Sequence, residues 1–336
     1  MQGKIGFEEH FNIRQFDHDL PPYVNPQGMI QIRRQLLDVA DERLGEMDAS
    51  GIAYSLLSLT APGIQAITDP QEAVTLARQA NDALAGIDAA NPARYGGMAA
   101  LPLQDPQAAI AELERSVTQL GFHGVMVNGF TNTPDGNGAW YYDHERYLPF
   151  WERVESLGVP VYLHPRNPLP ANAGIYEGHP ELMGAVWEFT VETATHALRL
   201  FTSGLFDRFP GVKLVLGHLG ETLPHFEWRI EHRLAMMGDR IKTKEPLRHY
   251  LQTNLYVTTS GNFHTPALSN VLTELGTDHV LFSSDYPYES MREAADWFDN
   301  ADIRENDRAK IGQANARRLF PNIPAVIGNP AASTRG

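Results

Sequence analysis

The chain has 336 residues, of which 43% are hydrophobic and 20% charged, so it can bury a large core, and intrinsic disorder is excluded as its main state. The 27 Lys and Arg residues against 41 Asp and Glu residues give a formal net charge of −14, the wrong sign for phosphate backbones or anionic membranes. There is no cysteine, which excludes disulfides, thiolate metal sites and a cysteine nucleophile. Any metal must be held by His, Asp and Glu.

The beginning of the chain argues against a secretory signal. Glu8 and Glu9 stand where such a signal needs an apolar stretch, and no later segment approaches 18 uninterrupted apolar residues. A cytoplasmic protein without a nucleic-acid or membrane partner is therefore expected.

Strand patterns and helical patterns alternate from one end of the chain to the other. Eight short β-rich runs predict strands at residues 5–7, 52–59, 95–101, 125–127, 159–163, 212–216, 255–259 and 280–282. Between them, apolar residues recur at helical spacing over 37–47, after Asp69-Pro70 and Asp105-Pro106, and over about 147–157, 181–206, 221–237, 289–298 and 305–319. A polar, glycine-rich excursion occupies residues 131–138.

This alternation predicts the fold class. Eight strands, each followed by a helix or by a loop in its place, match a (β/α)8 TIM barrel better than a doubly wound sheet, which usually has fewer strands and a glycine-rich first turn. No GxGxxG follows the first strand. We predict a single α/β barrel domain over residues 1–327, with insertions in the βα loops at about 11–30 and 165–180, and a flexible tail at 328–336.

Ionisable residues end several of the predicted strands, which is where barrel active sites lie. The first strand ends in Glu8-Glu9-His10, and the fifth, sixth and eighth end in His164, His218 and Asp285. Glu8 and His10 are two residues apart on a strand, so both side chains leave the same face. A lone strand-end histidine is more often structural than a ligand, but four coincidences predict a site for Zn²⁺, Mn²⁺ or a similar divalent ion.

Five sequence blocks resemble the signature blocks of the decarboxylase branch of the amidohydrolase superfamily, and most closely those of its dihydroxybenzoate decarboxylases. They are Glu8-x-His10, LHPRNP at 163–168, LGHLGE at 216–221, TTSGNF at 258–263 and LFSSDYP at 281–287. The likeness extends from residue 1 to about residue 320. Glu8 departs from the His-x-His that hydrolytic relatives more often carry, which favours the decarboxylase branch, and the presence of His10 favours 2,6-dihydroxybenzoate over 2,3-dihydroxybenzoate as substrate.

The resemblance implies an amidohydrolase-type barrel with one divalent metal ion, Zn²⁺ or Mn²⁺, held by Glu8, His10, His164 and Asp285. It implies non-oxidative loss of carbon dioxide from an ortho-hydroxylated benzoate, without an organic cofactor. The expected reaction converts 2,6-dihydroxybenzoate to resorcinol, with 2,3-dihydroxybenzoate as the alternative substrate. It also implies a homotetramer, or at least a homodimer.

Loss of carbon dioxide directly from an aryl carboxylate would leave a localised carbanion, so the ring carbon must be protonated first. We interpret Asp285 as the proton donor to that carbon. His218 and Glu221, from the sixth strand, are expected to support its proton supply and orientation.

Three further residues are candidates for substrate binding. Asn128 ends the fourth strand and can hydrogen-bond a substrate oxygen, although it is about as often a turn residue there. Arg229 can meet a hydroxyl or carboxylate through its planar fork, against the simpler reading of a surface ion pair with Glu227 or Glu231. The resemblance implies that Arg229 can enter a neighbouring subunit's site. Tyr23 can pack on the substrate ring, against simple packing.

Two other functions stay open at this point. A metal-dependent hydrolase that opens a lactone or cleaves an amide would use the same strand ends to activate water. A barrel without catalysis that only binds an aromatic acid is the third hypothesis, and the complete ligand set argues against it.

Overall fold

Eight parallel strands, paired in chain order, form the centre of the computed structural model, which describes residues 1–19 and 24–324. They are β1 (Lys4–Phe11), β2 (Ile52–Leu59), β3 (Tyr95–Ala99), β4 (Gly124–Asn128), β5 (Val161–His164), β6 (Leu214–Leu216), β7 (Leu255–Thr258) and β8 (Val280–Leu281). The segment after β8 returns to β1: Asp285 N–H donates to the Glu8 carbonyl at 3.0 Å and His10 N–H to that of Tyr286 at 2.7 Å. These bonds close the ring, and the predicted (β/α)8 barrel is confirmed.

The barrel interior is packed with buried side chains from all eight strands. One buried apolar cluster takes at least one residue from every strand: Ile5, Phe7, Tyr54, Leu56, Met98, Met126, Tyr162, Val215, Tyr256 and Leu281. A larger cluster lies between the strands and the helices around them. The polar groups at the carboxyl ends of the strands are therefore supported by a close-packed barrel interior.

Helices surround the strands. They are α1 (Pro26–Leu37), α2 (Glu42–Ser50), α3 (Pro70–Ala90), α4 (Pro106–Thr118), α5 (Leu148–Leu157), α6 (Glu188–Thr202), α7 (Leu205–Arg208), α8 (Leu223–Leu234), α9 (Leu247–Thr253), α10 (Thr265–Glu274), α11 (Met291–Asn300), α12 (Glu305–Ala309) and α13 (Asn315–Leu319), with a π-helical turn at Lys310–Ala314. Short 3-10 turns lie at Arg14–Asp19, Gly63–Ala66, Glu145–Tyr147, Pro170–Tyr176, Pro180–Leu182, Gly184–Val186, Ala235–Arg240 and Thr277–His279. Among the described helices, none has both the length and the hydropathy required to cross a membrane.

Two predicted helix starts are confirmed by their caps. Asp69 precedes α3 and its side chain accepts the N–H of Glu72, while Asp105 precedes α4 and accepts from the first turn in the same way. In both helices a proline follows the cap, at the position where a missing N–H costs nothing.

One predicted helix is wrong. The apolar spacing over 37–47 suggests a single helix, but α1 ends at Leu37 and α2 begins at Glu42. Asp38 causes the break, because its carboxylate accepts the N–H groups of Ala40, Asp41 and Glu42 and so starts a new helix. The predicted helix over 181–206 likewise begins only at Glu188, after two 3-10 turns. The tail predicted at 328–336 lies outside the described residues.

His196 on α6 makes the stability of the fold depend on pH. Its Nε2 accepts the N–H of Tyr142 at 3.1 Å, and burial lowers its pKa to about 3. In the unfolded chain His196 is protonated below about pH 6.5, whereas in the folded chain it stays neutral down to about pH 3. The contribution of His196 to stability is therefore fully present above pH 6.5 and is lost as the pH falls toward 3.

We therefore expect His196 alone to lower the free energy of unfolding by about 2 kcal/mol between pH 7.5 and pH 5. His196→Gln keeps an acceptor for Tyr142 but does not titrate. Urea unfolding of the metal-free proteins at both pH values should show the parent chain losing about 2 kcal/mol more than the variant. Equal losses in the two proteins would contradict this role.

Candidate active site

Four side chains at the carboxyl ends of the strands converge on one point. Glu8 and His10 come from β1, His164 ends β5, and Asp285 follows β8; one ligand atom from each lies within 4.8 Å of the others. His10 Nε2 is 3.1 Å from Asp285 Oδ1, and His164 Nε2 is 3.2 Å from Glu8 Oε1. The structure thus brings together the four residues predicted as metal ligands.

Both imidazoles are held with Nε2 facing this point. Nδ1 of His164 donates to the carbonyl of Pro165 at 2.8 Å, and Nδ1 of His10 lies 3.3 Å from Ser58 Oγ. A proton on each Nδ1 leaves the Nε2 lone pair free for a metal, which is the usual arrangement of metal-binding histidines.

Glu8 has one carboxylate oxygen occupied and one open. Its Oε2 accepts short hydrogen bonds from the hydroxyls of Tyr162 and Ser260, and a longer one from Thr258 at 3.4 Å. Burial opposes ionisation of Glu8, but the facing His218, His164 and His10 outweigh it and hold its pKa below the ordinary value. Oε1 remains directed at the neighbouring ligand atoms.

The residues present fit a divalent metal ion. Glu8 Oε1, His10 Nε2 and Asp285 Oδ1 are buried, and none has a hydrogen-bond partner in the part of the chain that the structure describes. Ligand atoms around an ion at about 2.1 Å lie about 3 to 3.5 Å from one another, as His10 Nε2 and Asp285 Oδ1 (3.1 Å) and His164 Nε2 and Glu8 Oε1 (3.2 Å) do. Two imidazole nitrogens and two carboxylate oxygens are a donor set for Zn²⁺ or Mn²⁺.

His218 and Glu221 lie in a tight turn directly after β6. The turn has left-handed backbone at His218 (φ 54°), Leu219 (φ 59°) and Glu221 (φ 52°), a conformation that costs energy in L-residues and clusters at functional sites. It places His218 Nδ1 2.6 Å from Glu221 Oε1, and Thr190 on α6 donates to the other oxygen of Glu221 at 2.8 Å. Burial opposes protonation of His218, but the carboxylates of Glu221 and Glu8 raise its pKa well above the ordinary value.

Asp285 faces two neighbours with its two oxygens. Oδ1 faces His10 Nε2 in the ligand cluster, whereas Oδ2 is 3.6 Å from Nε2 of His218. The Asp285 backbone is also left-handed, with φ 72°. The predicted catalytic group of Asp285, His218 and Glu221 is therefore assembled as a chain of contacts that begins at the ligand cluster.

A cavity of about 740 Å³ adjoins this chain of contacts. Its lining includes His218, Glu221 and Asp285, and the apolar side chains of Leu219 and Pro224. The volume lies in the range of small-molecule sites, and the mixture of apolar walls with a few ionisable groups is typical of them.

The three predicted substrate-binding residues have different surroundings. Asn128 is buried at the end of β4, where its Nδ2 donates to the carbonyl of Leu59 at 3.3 Å and its Oδ1 has no partner among the described residues. Arg229 is exposed on α8, outside the ligand cluster, and forms no ion pair within the described ranges 1–19 and 24–324. Tyr23 lies outside the described residues.

Sequence reasoning missed the groups that orient the predicted residues. Tyr162, Thr258 and Ser260 surround Glu8, Ser58 contacts His10, and Thr190 contacts Glu221. Hydroxyl residues are common in strands, and these contacts cross between 31 and 252 positions of the chain, so no local spacing marks them. Ser58, Tyr162, Thr258 and Ser260 lie near strand ends, and the last two also lie in the TTSGNF block, but Thr190 on α6 carried no such signal.

Known proteins resemble this chain in sequence and in structure. The family model described as Amidohydrolase matches residues 34–321. The gamma-resorcylate decarboxylase of Rhodococcus jostii (strain RHA1) is 51% identical over 325 residues, covering 95% of this chain and 99% of that protein. A crystal structure of 2,6-dihydroxybenzoate decarboxylase complexed with 2,6-dihydroxybenzoate superposes with a TM-score of 0.94 at 50% identity, covering 96% of this chain and 100% of the other.

A second solved structure contains a metal. It is the dihydroxybenzoic acid decarboxylase of Polaromonas sp. JS666 with bound manganese and the inhibitor 2-nitroresorcinol. It superposes with a TM-score of 0.94 at 49% identity and covers 97% of this chain and 98% of that one.

Proposed function

This chain belongs to the amidohydrolase family, and on that premise we propose that it is a carboxy-lyase that uses one divalent metal ion to convert 2,6-dihydroxybenzoate to resorcinol and carbon dioxide. The observation that carries the proposal is the junction of two groups at Asp285: the metal-ligand cluster on one side and His218 with Glu221 on the other. Relatives of about 50% identity over nearly the whole chain, named for this substrate, support it.

The four ligands would hold Mn²⁺ or Zn²⁺. When bound, the ion would act as a Lewis acid toward the carboxylate and an ortho hydroxyl of the substrate. This would fix the orientation of the ring and favour the phenolate. The Polaromonas inhibitor has a nitro group between two hydroxyls, where 2,6-dihydroxybenzoate has its carboxylate, so the manganese-containing relative accepts this ring pattern.

The chain's own residues handle the proton. Asp285 gives a proton to the ring carbon that bears the carboxylate, the bond to the carboxylate carbon then breaks, and its electron pair returns to the ring as carbon dioxide leaves. His218 faces Oδ2 of Asp285 and can restore the proton, while Glu221 and Thr190 hold the imidazole in place.

Asn128 is proposed to bind a hydroxyl of the substrate. Its buried Oδ1 is an acceptor without a partner in the described residues, and a buried acceptor is stabilised when a donor reaches it. A phenolic O–H is such a donor.

We propose that Arg229 acts in the site of a neighbouring subunit of a homodimer or homotetramer. The surface around α8 carries exposed apolar side chains, among them Phe226, Trp228 and Met236, with Val186 and Trp187 on the segment before α6. A patch of this kind usually marks a protein interface. Packing against a second copy would cover this patch and place Arg229 against the other subunit.

A complementation experiment tests this. We expect Arg229→Ala to lower kcat/KM at least about tenfold, because one charge-assisted hydrogen bond is lost. Coexpressed Arg229→Ala and Asp285→Asn chains, each with its own affinity tag, should form mixed oligomers in which one site combines an intact Asp285 with the partner subunit's Arg229. A kcat/KM in the doubly purified oligomer well above that of either variant alone is the expected result. A value no higher than that of the Arg229→Ala chains would place Arg229 in its own subunit's site.

The substrate itself is tested by a product assay. The metal-loaded protein is offered 2,6-dihydroxybenzoate, 2,3-dihydroxybenzoate and salicylate in parallel, with resorcinol, catechol or phenol quantified beside carbon dioxide. We expect equimolar resorcinol and carbon dioxide, with kcat/KM highest for the first compound. A higher kcat/KM for 2,3-dihydroxybenzoate would change the assigned substrate and leave the decarboxylase function in place. Absence of carbon dioxide from all three, with hydrolysis of a lactone, would replace the proposal by the hydrolase function.

A further inference from the structure

Glu9 lies between two metal ligands in sequence but leaves the opposite face of β1. Successive side chains of a strand alternate, so Glu8 and His10 face the ligand cluster while Glu9 does not. Its side chain is completely buried. A buried carboxyl group of this kind requires a reason in the structure.

The Glu9 carboxylate binds the segment that carries Asp285. Oε1 accepts the N–H of Ser284 at 3.0 Å and the hydroxyl of Ser283 at 3.1 Å. Oε2 accepts the hydroxyl of Ser284 at 2.6 Å and the N–H of Tyr286 at 3.3 Å. Two of these donors are the backbone N–H groups of Ser284 and Tyr286, the residues on either side of Asp285.

Residues 284–286 are therefore tied to β1 through three consecutive N–H groups. Those of Ser284 and Tyr286 bind the Glu9 side chain, and that of Asp285 binds the Glu8 carbonyl at 3.0 Å. The ladder between β7 and β8 ends at Leu281, and beyond it only two backbone hydrogen bonds, Asp285 N–H to Glu8 and His10 N–H to Tyr286, join this segment to β1 in the described residues. The Glu9 carboxylate adds side-chain hydrogen bonds to the same connection.

This connection matters because Asp285 has an unfavourable backbone conformation. Its left-handed φ of 72° persists only where the surroundings determine it, and the direction of its side chain depends on it. The same backbone sets Oδ1 toward the ligand cluster and Oδ2 toward His218.

We propose that Glu9 is a positioning residue, whose buried carboxylate holds the backbone N–H groups of Ser284 and Tyr286 on either side of Asp285 and so aims the Asp285 oxygens at the metal and at His218. This rests on the proposed function and deepens it. The competing explanation is that Glu9 anchors β1 in the core and has no influence on the site beyond general stability.

Glu9→Gln separates the two explanations. Glutamine has the same shape, but its NH2 group would face hydrogen-bond donors where the carboxylate accepts. At least one hydrogen bond from the 284–286 segment is therefore lost. Partners of metal ligands typically contribute 10- to 100-fold in affinity or activity. We expect the Mn²⁺ dissociation constant, measured by electron paramagnetic resonance on the metal-free protein, to rise at least about tenfold. At saturating Mn²⁺, kcat should fall at least about tenfold while KM changes less than about threefold.

Glu112→Gln is the matched control. Glu112 is also a buried glutamate. It lies on α4 and accepts hydrogen bonds from Asn81 on α3 and Arg115 on α4, so the substitution removes a comparable carboxylate at a position outside the site. It should lower the melting temperature and leave the Mn²⁺ dissociation constant within about twofold of the parent value. Ser284→Ala removes one donor to Glu9 and provides a milder test if Glu9→Gln does not fold, with a weaker effect in the same direction.

Two outcomes decide the proposal. Weaker Mn²⁺ binding in Glu9→Gln, or in Ser284→Ala where that variant must be used, with normal binding in Glu112→Gln, supports it. A lower melting temperature with unchanged Mn²⁺ affinity would overturn it. Since Mn²⁺ binding is measured without substrate, this result is independent of whether the parent protein releases carbon dioxide from 2,6-dihydroxybenzoate, so failure of the proposed function is seen separately.

Discussion

Asp285→Asn should lower kcat for carbon dioxide release at least about 10³-fold, because an amide N–H is far too weak an acid to protonate the ring carbon. General acid catalysis alone contributes about 10² to 10⁴, and asparagine also weakens the metal site. The change keeps the size of the side chain and the φ of 72° that Asn tolerates well, so circular dichroism should show the parent fold. The rate is measured at saturating Mn²⁺, with bound metal quantified in the same sample.

Asp302→Asn controls for loss of an aspartate as such. Asp302 is exposed before α12, and its substitution should leave kcat within about twofold of the parent value. If Asp285→Asn binds metal and keeps more than about a tenth of the parent kcat, the proton comes from another group, and His218 becomes the first residue to test.

His164→Ala should lower bound metal and activity together. The substitution removes one of the four ligand atoms and leaves Glu8 Oε1 without the imidazole 3.2 Å away. Loss of a ligand should exceed the 10- to 100-fold effect of an outer partner, so we expect metal affinity to fall at least about 100-fold. Metal per chain is determined by elemental analysis after dialysis, beside the rate on 2,6-dihydroxybenzoate.

His249→Ala is the corresponding control, because His249 is exposed on α9. It should keep one equivalent of metal and the parent rate. Full metal content in His164→Ala would show that His164 is not a ligand, and a normal rate with depleted metal would show that the ion is not needed.

The fold was predictable because its signals are local. Each β-rich run ends near a turn, and Asp69-Pro70 and Asp105-Pro106 mark helix starts within four residues. The error at 37–47 has a local cause too, since Asp38 accepts from three N–H groups and overrides the apolar spacing. The apolar spacing did not mark one buried face here either, because Leu37 and Ala40 are exposed while Met47 is buried.

The metal ligands were predictable for a topological reason. A parallel barrel brings the carboxyl ends of all its strands together, so Glu8 and Asp285, 277 positions apart, belong to one predicted cluster once the strands are placed. The family resemblance then assigned their roles. Neither source indicates that Tyr162 and Ser260 bind Oε2 of Glu8 and leave Oε1 open.

The details of the proton-handling group depend on backbone conformation that the sequence does not display. The turn after β6 contains Gly220, which is left-handed with φ 86°, but His218, Leu219, Glu221 and Thr222 are left-handed as well. Local preference disfavours that conformation, so it exists only because tertiary contacts such as Thr190 with Glu221 impose it. The same is true of Asp285 and its connection to Glu9.

A metal titration tests the central claim most directly. The chelator-treated protein is supplied with increasing Mn²⁺, and resorcinol and carbon dioxide are measured from 2,6-dihydroxybenzoate. We predict a negligible rate without metal, a linear rise to one equivalent of Mn²⁺ per chain, and a plateau with the two products in a 1:1 ratio. Full activity in the metal-free protein, or no carbon dioxide at one bound equivalent, would contradict a metal-dependent decarboxylase.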